Sequence, residues 1–490
     1  MSVSLDADAT PSSHACPICA LLINWNRDSK TSQVISTFTS LDSIVISSNL
    51  NPPCSICLGI LEGSFSRGVL DNAVQKFVEC GYDVDAFNLA ITLPPSCFLR
   101  EKMARIKKEM GNGFGADSDQ PVFMLSLKDA CRVCYQAGLE RRLASKKIIF
   151  DSQSDFCIAI TFENSKADEC CSILQEKFPS RFFNGKKKRK RTEGTSKDGN
   201  NSQWSRTAIM DVLPLLTKES IKELDVFGQL CNAVEACSYL IALTRSPLFI
   251  GGRYCKYSRN LTQTPWMVNG VRRGVTSVQE LICGQMANAV GAEDVKFTSS
   301  GREDTDVRML GSGRPFAIQL MNCRRKRTLN QKEIEILQDQ INSSTKDVSV
   351  RQLRIVSDQE FTALKLGEEH KKKTYVALIW SPISLAGESE KQRILALPSL
   401  KPIELEQKTP VRVLHRRPLA IRKRTVENFG VSILGEHYFQ LRLTTQAGTY
   451  VKEFVHGDFG RTRPSLSDLL GGIPVDILEL DVEHIDLAWP

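Results

Sequence analysis

A chain of 490 residues that is 41% hydrophobic and 24% charged has the composition of globular protein and exceeds what one core organises, so two or three domains are expected. Its 64 basic and 56 acidic residues leave a formal charge of +8, an excess too small to identify a nucleic-acid binder by itself. No apolar run reaches the roughly 18 residues that a membrane-spanning helix needs, and the acidic N-terminal stretch has neither the apolar core of a secretory signal nor the character of a transit peptide.

Sixteen cysteines without a secretory signal point to a reducing compartment, where thiols hold metal or sit in cores. Cys16-Pro17-Ile18-Cys19 and Cys54-Ser55-Ile56-Cys57 each place two thiols at the spacing that a tight turn wraps around zinc, and four such ligands close a structural site. Buried, unliganded thiols are the alternative. The long interval between the pairs requires further folded chain between the two knuckles. A third pair, Cys131 and Cys134, lies in LKDACRVCYQAGLERRL, whose apolar spacing predicts a helix, and a helix interior is a poor zinc knuckle. That pair is read as structural, as are the adjacent Cys170 and Cys171. Strands are expected at 44–47, 122–127 and 157–162 and a helix at 71–80, giving an α+β module over residues 1–183.

Residues 184–203 are polar and basic without periodic apolar positions, and read as a linker. The six cations from Lys186 to Arg191 suit a nuclear import signal, an RNA tether or a merely solubilising segment, with nucleus and cytoplasm the expected locations. From Thr217, helical spacing of Ile221, Leu224, Val226, Leu230, Val234 and Tyr239 predicts connecting helices over 204–244, leading into a second domain over 245–490. Cations also cluster at 324–327, at 371–373, and at Arg416, Arg417, Arg422, Lys423 and Arg424, where they could neutralise phosphates or simply face water.

In the second domain Arg253, Lys256, Arg259 and Trp266 are interleaved with Tyr254 and Tyr257, a mixture suited to phosphate contacts and base stacking. Ser277 and Glu280 have capping-box spacing before an apolar face of Val278, Leu281, Ile282, Met286 and Ala289 that Gly291 can terminate. Val295 and Phe297, then Phe316, Ile318 and Leu320, alternate as strands around SSGREDTDVRMLGSGRPF, a loop with three carboxylates, three arginines and three glycines. Beyond it lie a helix at 331–342, strands at 374–380, 411–414 and 439–444, and a helical period over 449–455.

Gly301-Arg302-Glu303-Asp304, followed by Asp306-Val307-Arg308 and by the run from Gly311 to Phe316, closely resembles the catalytic loop of the archaeal and eukaryotic tRNA pseudouridine synthases of the family numbered ten. RSPLFIGGRYCKYSRNLTQTPW, at 245–266, resembles the same family. Lys373-Thr374-Tyr375 and Gly448-Thr449-Tyr450-Val451-Lys452 resemble motifs of the wider superfamily, the second being similar to the Gly-Thr-Tyr-Ile-Arg signature of the bacterial TruB-type enzymes.

The resemblance implies an isomerase that converts uridine to pseudouridine without a catalytic cofactor, acting on the T arm of tRNA at uridine 55, alone or together with 54. It implies Asp304 as the nucleophile, Lys452 as its basic partner, and Tyr375, Tyr450, Arg302 and Arg253 at the substrate. Lysine in place of arginine keeps the charge but gives up the bidentate fork. The implied fold is α+β, with a mixed, largely antiparallel sheet and flanking helices in the catalytic domain. Before it the resemblance implies a THUMP-like RNA-binding module with zinc on Cys16, Cys19, Cys54 and Cys57.

Two rivals are set against this. A non-catalytic RNA-binding or chaperone protein on the same scaffold predicts loss of the loop carboxylate or its cation, and both are present. A zinc-dependent deaminase needs an H-x-E motif, and none of the six histidines is followed by x-Glu.

Overall fold

The computed structural model describes residues 15–24, 52–111, 125–182, 206–217, 219, 235–325, 329–366 and 371–490. The strand expected at 44–47, the linker 184–203 with its basic run, and the helical pattern from Ile221 to Val234 lie outside the described residues. The chain divides into two compact units, Met1–Arg245 and Ser246–Pro490. Among the described residues no helix is long and apolar enough to cross a membrane.

The first unit carries a four-stranded sheet in the order β2-β1-β3-β4, formed by β1 (Ala86–Thr92), β2 (Ile149–Phe150), β3 (Phe156–Glu163) and β4 (Ser238–Arg245). β1 runs parallel to β2 and β3, and β4 pairs antiparallel with β3. Strict alternation in β3 buries Phe156, Ile158, Ile160 and Phe162 in a core shared with Phe77 of the helix Gly63–Cys80 and with Tyr135 and Leu139 of the helix Leu127–Leu143. Two expectations are corrected. Leu127 opens a helix where a strand over 122–127 was expected, because Ser126 caps it by accepting from the Asp129 amide; residues 122–124 lie outside the described residues. Tyr239, counted in a helical pattern, sits in β4, where Ile241 and Leu243 are buried on one face of the sheet; period 2 prevails there over the apparent period of 3.6.

The second unit is built on a ten-stranded sheet. Its order is β10 (Val348–Ile355), β5 (Leu248–Lys256), β9 (Arg308–Met321), β16 (Asp476–Ile485), β11 (Lys373–Trp380), β14 (Tyr438–Thr445), β13 (Ile421–Ile433), β12 (Ile403–Lys408) and β15 (Thr462–Arg463), with β8 (Asp294–Ser299) paired to β9. Every pairing is antiparallel except β9 with β16, so the sheet is mixed and largely antiparallel, as expected of this α+β chain. A separate hairpin joins β6 (Trp266–Val268) to β7 (Val271–Arg273).

The helix Val278–Val290 buries Val278, Ile282, Met286 and Val290 and ends on Gly291 at φ 63. Ser277 accepts from the Glu280 amide, but the Glu280 carboxylate takes the Ser277 hydroxyl and Arg272 in place of the expected bond to the Ser277 amide. The strand expected at 411–414 is a single 3-10 turn, Val411–Val413. Pro410 precedes it, and the Val411 amide donates to Asp458 Oδ2 at 3.2 Å, so the segment is satisfied outside any strand ladder.

Candidate active site

The loop that follows β8 is anchored from below by a buried polar network. Glu303, 5% exposed, accepts from Tyr254 Oη at 2.8 Å and from Arg314 Nε at 2.7 Å, while Gln263 donates to Tyr254 Oη at 2.8 Å and to the Gly301 carbonyl at 3.0 Å. Burial, then the neighbouring Glu303, pushes the Tyr254 phenol well above its ordinary range, so it stays a donor. Lys256 is wholly buried and spends its three N–H bonds on three carbonyls: Leu261 at 2.8 Å, Asp304 at 3.1 Å and Thr305 at 2.8 Å. Burial draws its pKa down to about 8. The loop glycines are required: at Gly311, φ 58, a Cβ would stand 1.9 Å from the Glu483 carbonyl.

This network corrects the reading of residues 253–256 as an RNA-facing surface, while Tyr257 and Trp266 remain exposed. β5 is an interior strand covered on both faces, so Tyr254 and Lys256 point inward. Arg253, expected at the substrate, is 7% exposed and donates to the carbonyls of Ser312, Leu487 and Trp489, pinning the C-terminal residues to β5. It is not among the residues that line the cleft.

Above the network opens a cleft of about 1340 Å³, lined by 301–307, by Tyr375 on β11, by Arg412, Arg416 and Arg417, by Arg424 on β13, and by 446–452. Asp304, Lys452, Tyr375, Tyr450 and Arg302 all lie on its walls. Asp304, about 40% exposed, has two cations on Oδ2: Arg412 Nη1 at 3.0 Å and Lys452 Nζ at 3.8 Å. Lys452 lies closer to Asp306, at 2.9 and 2.6 Å from its two oxygens. Burial alone would raise the Asp306 carboxyl, but the hydrogen bond and charge of Lys452 hold it below its ordinary range.

Arg412 is the residue that sequence reading missed. It lies in the stretch PVRVLHRR, where Arg416 and Arg417 drew attention as a cluster and 411–414 was read as strand. Its Nε donates to Glu453 Oε1 at 2.6 Å, and its guanidinium lies 6.0 Å from the centre of the Tyr450 ring. Burial opposes its charge, yet Glu453 and Asp304 more than offset this and hold its pKa above the ordinary value. Glu453 is 2% exposed, and its Oε2 has no hydrogen-bond partner among the described residues.

Tyr450 caps the helix Val451–His456 and is fixed by Gln407, which donates to its carbonyl at 3.0 Å and accepts from its amide at 2.9 Å. Tyr375 is half-buried, and burial pushes its phenol up to about 12, so it presents a neutral ring. Arg302 is exposed. Of the 371–373 cations, Lys373 lines the cleft, Lys371 is buried against the Ser300 hydroxyl, and Lys372 pairs with Glu427.

In the first unit Cys16, Cys19, Cys54 and Cys57 converge, all buried, with their Sγ atoms within 4.8 Å of one another. Tetrahedral zinc with Zn–S near 2.3 Å sets its sulfurs roughly 3.8 Å apart, and Cys16 Sγ and Cys57 Sγ are 3.8 Å apart. Leu58 and Gly59, at φ 55 and 86, turn the second knuckle, and the Cys54 amide donates to Glu62 Oε1 at 2.6 Å. Hydrogen bonds from Cys16 and Cys19 hold the Cys54 thiol well below its ordinary range, whereas hydrogen bonds from the neighbouring thiols raise Cys19 and burial raises Cys57 well above theirs. The donor set fits structural zinc. Cys131 and Cys134 are not part of it.

Residues 249–486 match the family described as Pus10, C-terminal, and residues 54–228 match eukaryotic Pus10, N-terminal. The tRNA pseudouridine synthase Pus10 of Homo sapiens is 39% identical over 453 residues, covering 90% of this chain and 80% of that protein. The putative tRNA pseudouridine synthase Pus10 of Drosophila melanogaster is 31% identical over 506 residues, covering 97% of this chain and 95% of its own. The tRNA pseudouridine synthase Pus10 of Pyrococcus furiosus is 36% identical over 256 residues, 51% of this chain and 62% of that one.

Proposed function

We propose that this chain, which belongs to the Pus10 family of pseudouridine synthases, isomerises uridine 55, and also 54, in the T arm of tRNA with Asp304 as its nucleophile. The observation that carries the reading is the Asp304 carboxylate in a cation-lined cleft, with Arg412 at 3.0 Å and Lys452 at 3.8 Å and its own main chain held by Lys256.

Isomerisation breaks the bond between the ribose C1′ and N1, turns the free uracil and joins C5 to C1′, the C5 proton passing to water while N1 takes one up. Product and substrate are isomers, so the step needs no redox partner and no added energy. It needs a carboxylate able to attack or assist at the nucleoside and a pocket that retains the detached base. Asp304 is exposed enough to be reached, and Arg412 and Lys452 both lie against its Oδ2. The target uridine must leave its stack at a cost of a few kcal/mol, and a neutral Tyr375 ring stacked on it would return roughly 1 to 3 kcal/mol. Tyr450 and Arg302 shape and charge the entrance, and Arg416, Arg417 and Arg424 would take up phosphates.

Zinc held by Cys16, Cys19, Cys54 and Cys57 would tie two distant segments into a THUMP-like RNA-binding module; its role is structural, not chemical. The run from Lys186 to Arg191 would direct the chain to the nucleus.

The test is tritium release from unmodified tRNA labelled at uridine C5, with the modified position mapped afterwards. The wild-type chain should release tritium, and Asp304→Asn should not, while binding tRNA with nearly unchanged affinity. Release by the variant at the wild-type rate removes Asp304 from its role. Tight binding without release by either protein would favour an RNA-binding protein that keeps the scaffold without the reaction.

A further inference from the structure

We infer that the turn Gly457–Gly460 presents Phe459 as a stacking platform for an unpaired nucleotide of the RNA that enters the cleft, an inference that rests on the proposed action on RNA. Phe459 is 95% exposed, the highest value among the large apolar side chains of the described residues. Its backbone is equally unusual. Asp458 (φ 46, ψ 54) and Phe459 (φ 55, ψ 36) are consecutive non-glycine residues in the left-handed region, where Cβ crowds the carbonyl that follows. Gly457 and Gly460 on either side, at φ 78 and 79, adopt the same hand without strain. A glycine at 459 would therefore suit the backbone, and a polar residue would suit the water. Neither burial nor conformational preference accounts for phenylalanine there, and strain kept at an exposed position points to use.

The turn is also held firmly. Asp458 Oδ2 accepts the Val411 amide at 3.2 Å and lies 3.6 Å from Arg461 Nε, the Asp458 amide donates to His456 Nδ1 at 3.1 Å, and Arg461 Nη2 donates to the Thr409 carbonyl at 2.7 Å. The ring thus stands on a braced base, tied to the segment whose Arg412, Arg416 and Arg417 line the cleft. An aromatic ring in water, on a turn braced to the segment that carries cleft-lining arginines, suits a polyanion with exposed bases: the ring takes a base and the guanidinium groups take phosphates.

The experiment uses the full chain and an unmodified tRNA transcript, with affinity read by filter binding and stability by thermal melting, for wild type, Phe459→Ala, Phe459→Gly and Phe459→Trp. The alanine and glycine variants should bind the transcript about tenfold more weakly, and tryptophan should restore affinity to within about twofold. Phe459→Gly should melt at or above the wild-type temperature, because glycine relieves the left-handed strain. Ile336→Ala, at an exposed position on the helix Gln331–Ser344, is the control that should change nothing. Wild-type affinity in Phe459→Gly overturns the platform, as does a glycine variant that melts several degrees lower, since the ring would then serve the fold. A wild-type chain that neither binds tRNA nor releases tritium overturns the reading on RNA and the platform with it; an active wild type with undiminished affinity in Phe459→Gly overturns the platform alone.

Discussion

Replacing Arg412 by methionine separates two ion pairs that one guanidinium makes. Toward Asp304 the pair is 3.0 Å long, but both side chains are about 40% exposed, so solvent screening leaves it worth about 1 kcal/mol or less. Toward Glu453 the situation is reversed. That side chain is 2% exposed, one carboxylate oxygen has Arg412 at 2.6 Å, and the other has no partner among the described residues. Removing the guanidinium leaves a buried carboxylate with neither oxygen bonded, a change that costs about 3 to 5 kcal/mol. The stability loss of Arg412→Met should therefore be about 3 kcal/mol and should come from Glu453. Arg412→Met/Glu453→Leu, which removes the guanidinium and the buried carboxylate together, should recover most of it. Urea unfolding of the singles and doubles gives the coupling energies directly: about 2 to 3 kcal/mol for Arg412 with Glu453, and under about 1 kcal/mol for Arg412 with Asp304. The refolded double variant still lacks the nearer cation on Asp304, so tritium release should remain about tenfold slow. A double variant as unstable as Arg412→Met would refute the reasoning about Glu453, and one that turns over at the wild-type rate would refute the pairing of Arg412 with Asp304.

Lys256 gives a pH signature with two opposite signs. Its folded pKa is drawn down to about 8 from an ordinary 10.5, so between those values the unfolded chain binds the extra proton, and this group's contribution to stability rises with pH. The same deprotonation leaves two N–H donors for three carbonyls, two of them on the Asp304 loop, so tritium release should fall above about pH 8 without loss of fold; Lys256→Gln should lack that titration, and an identical pH profile in the variant would exclude Lys256 as its source. For the cysteine cluster, elemental analysis should find about one zinc per chain, and Cys54→Ser should lose it and lower the melting temperature of the first unit; a metal-free chain with wild-type stability would make the four thiols ordinary core residues.

Much of this molecule was legible in residue order. Strand-like apolar runs marked β3, β11 and β14, the Ser277 cap and Gly291 bounded a helix, and the spacing of two cysteine pairs named four thiols that do converge. Local preference writes those features, because each depends on residues only a few positions apart. The loop carboxylates and glycines were visible as well, but only the resemblance of the whole run to a known catalytic loop set them apart from a solvated hairpin tip with incidental ion pairs.

What the sequence could not say is which charges face one another. Arg253 and Lys256 have the look of phosphate ligands, and become internal clamps because β5 is covered on both faces of a ten-stranded sheet. Lys452 was the expected partner of Asp304, and the fold sets it nearer Asp306 while bringing Arg412 from 108 residues away onto Asp304. Composition and periodicity determine the elements and the reactive groups on offer. Which cation meets which carboxylate, and which is buried without one, is decided by strand order and by the connection between β12 and β13, because Coulomb energies depend on separation in space and on burial, neither of which is written in residue order.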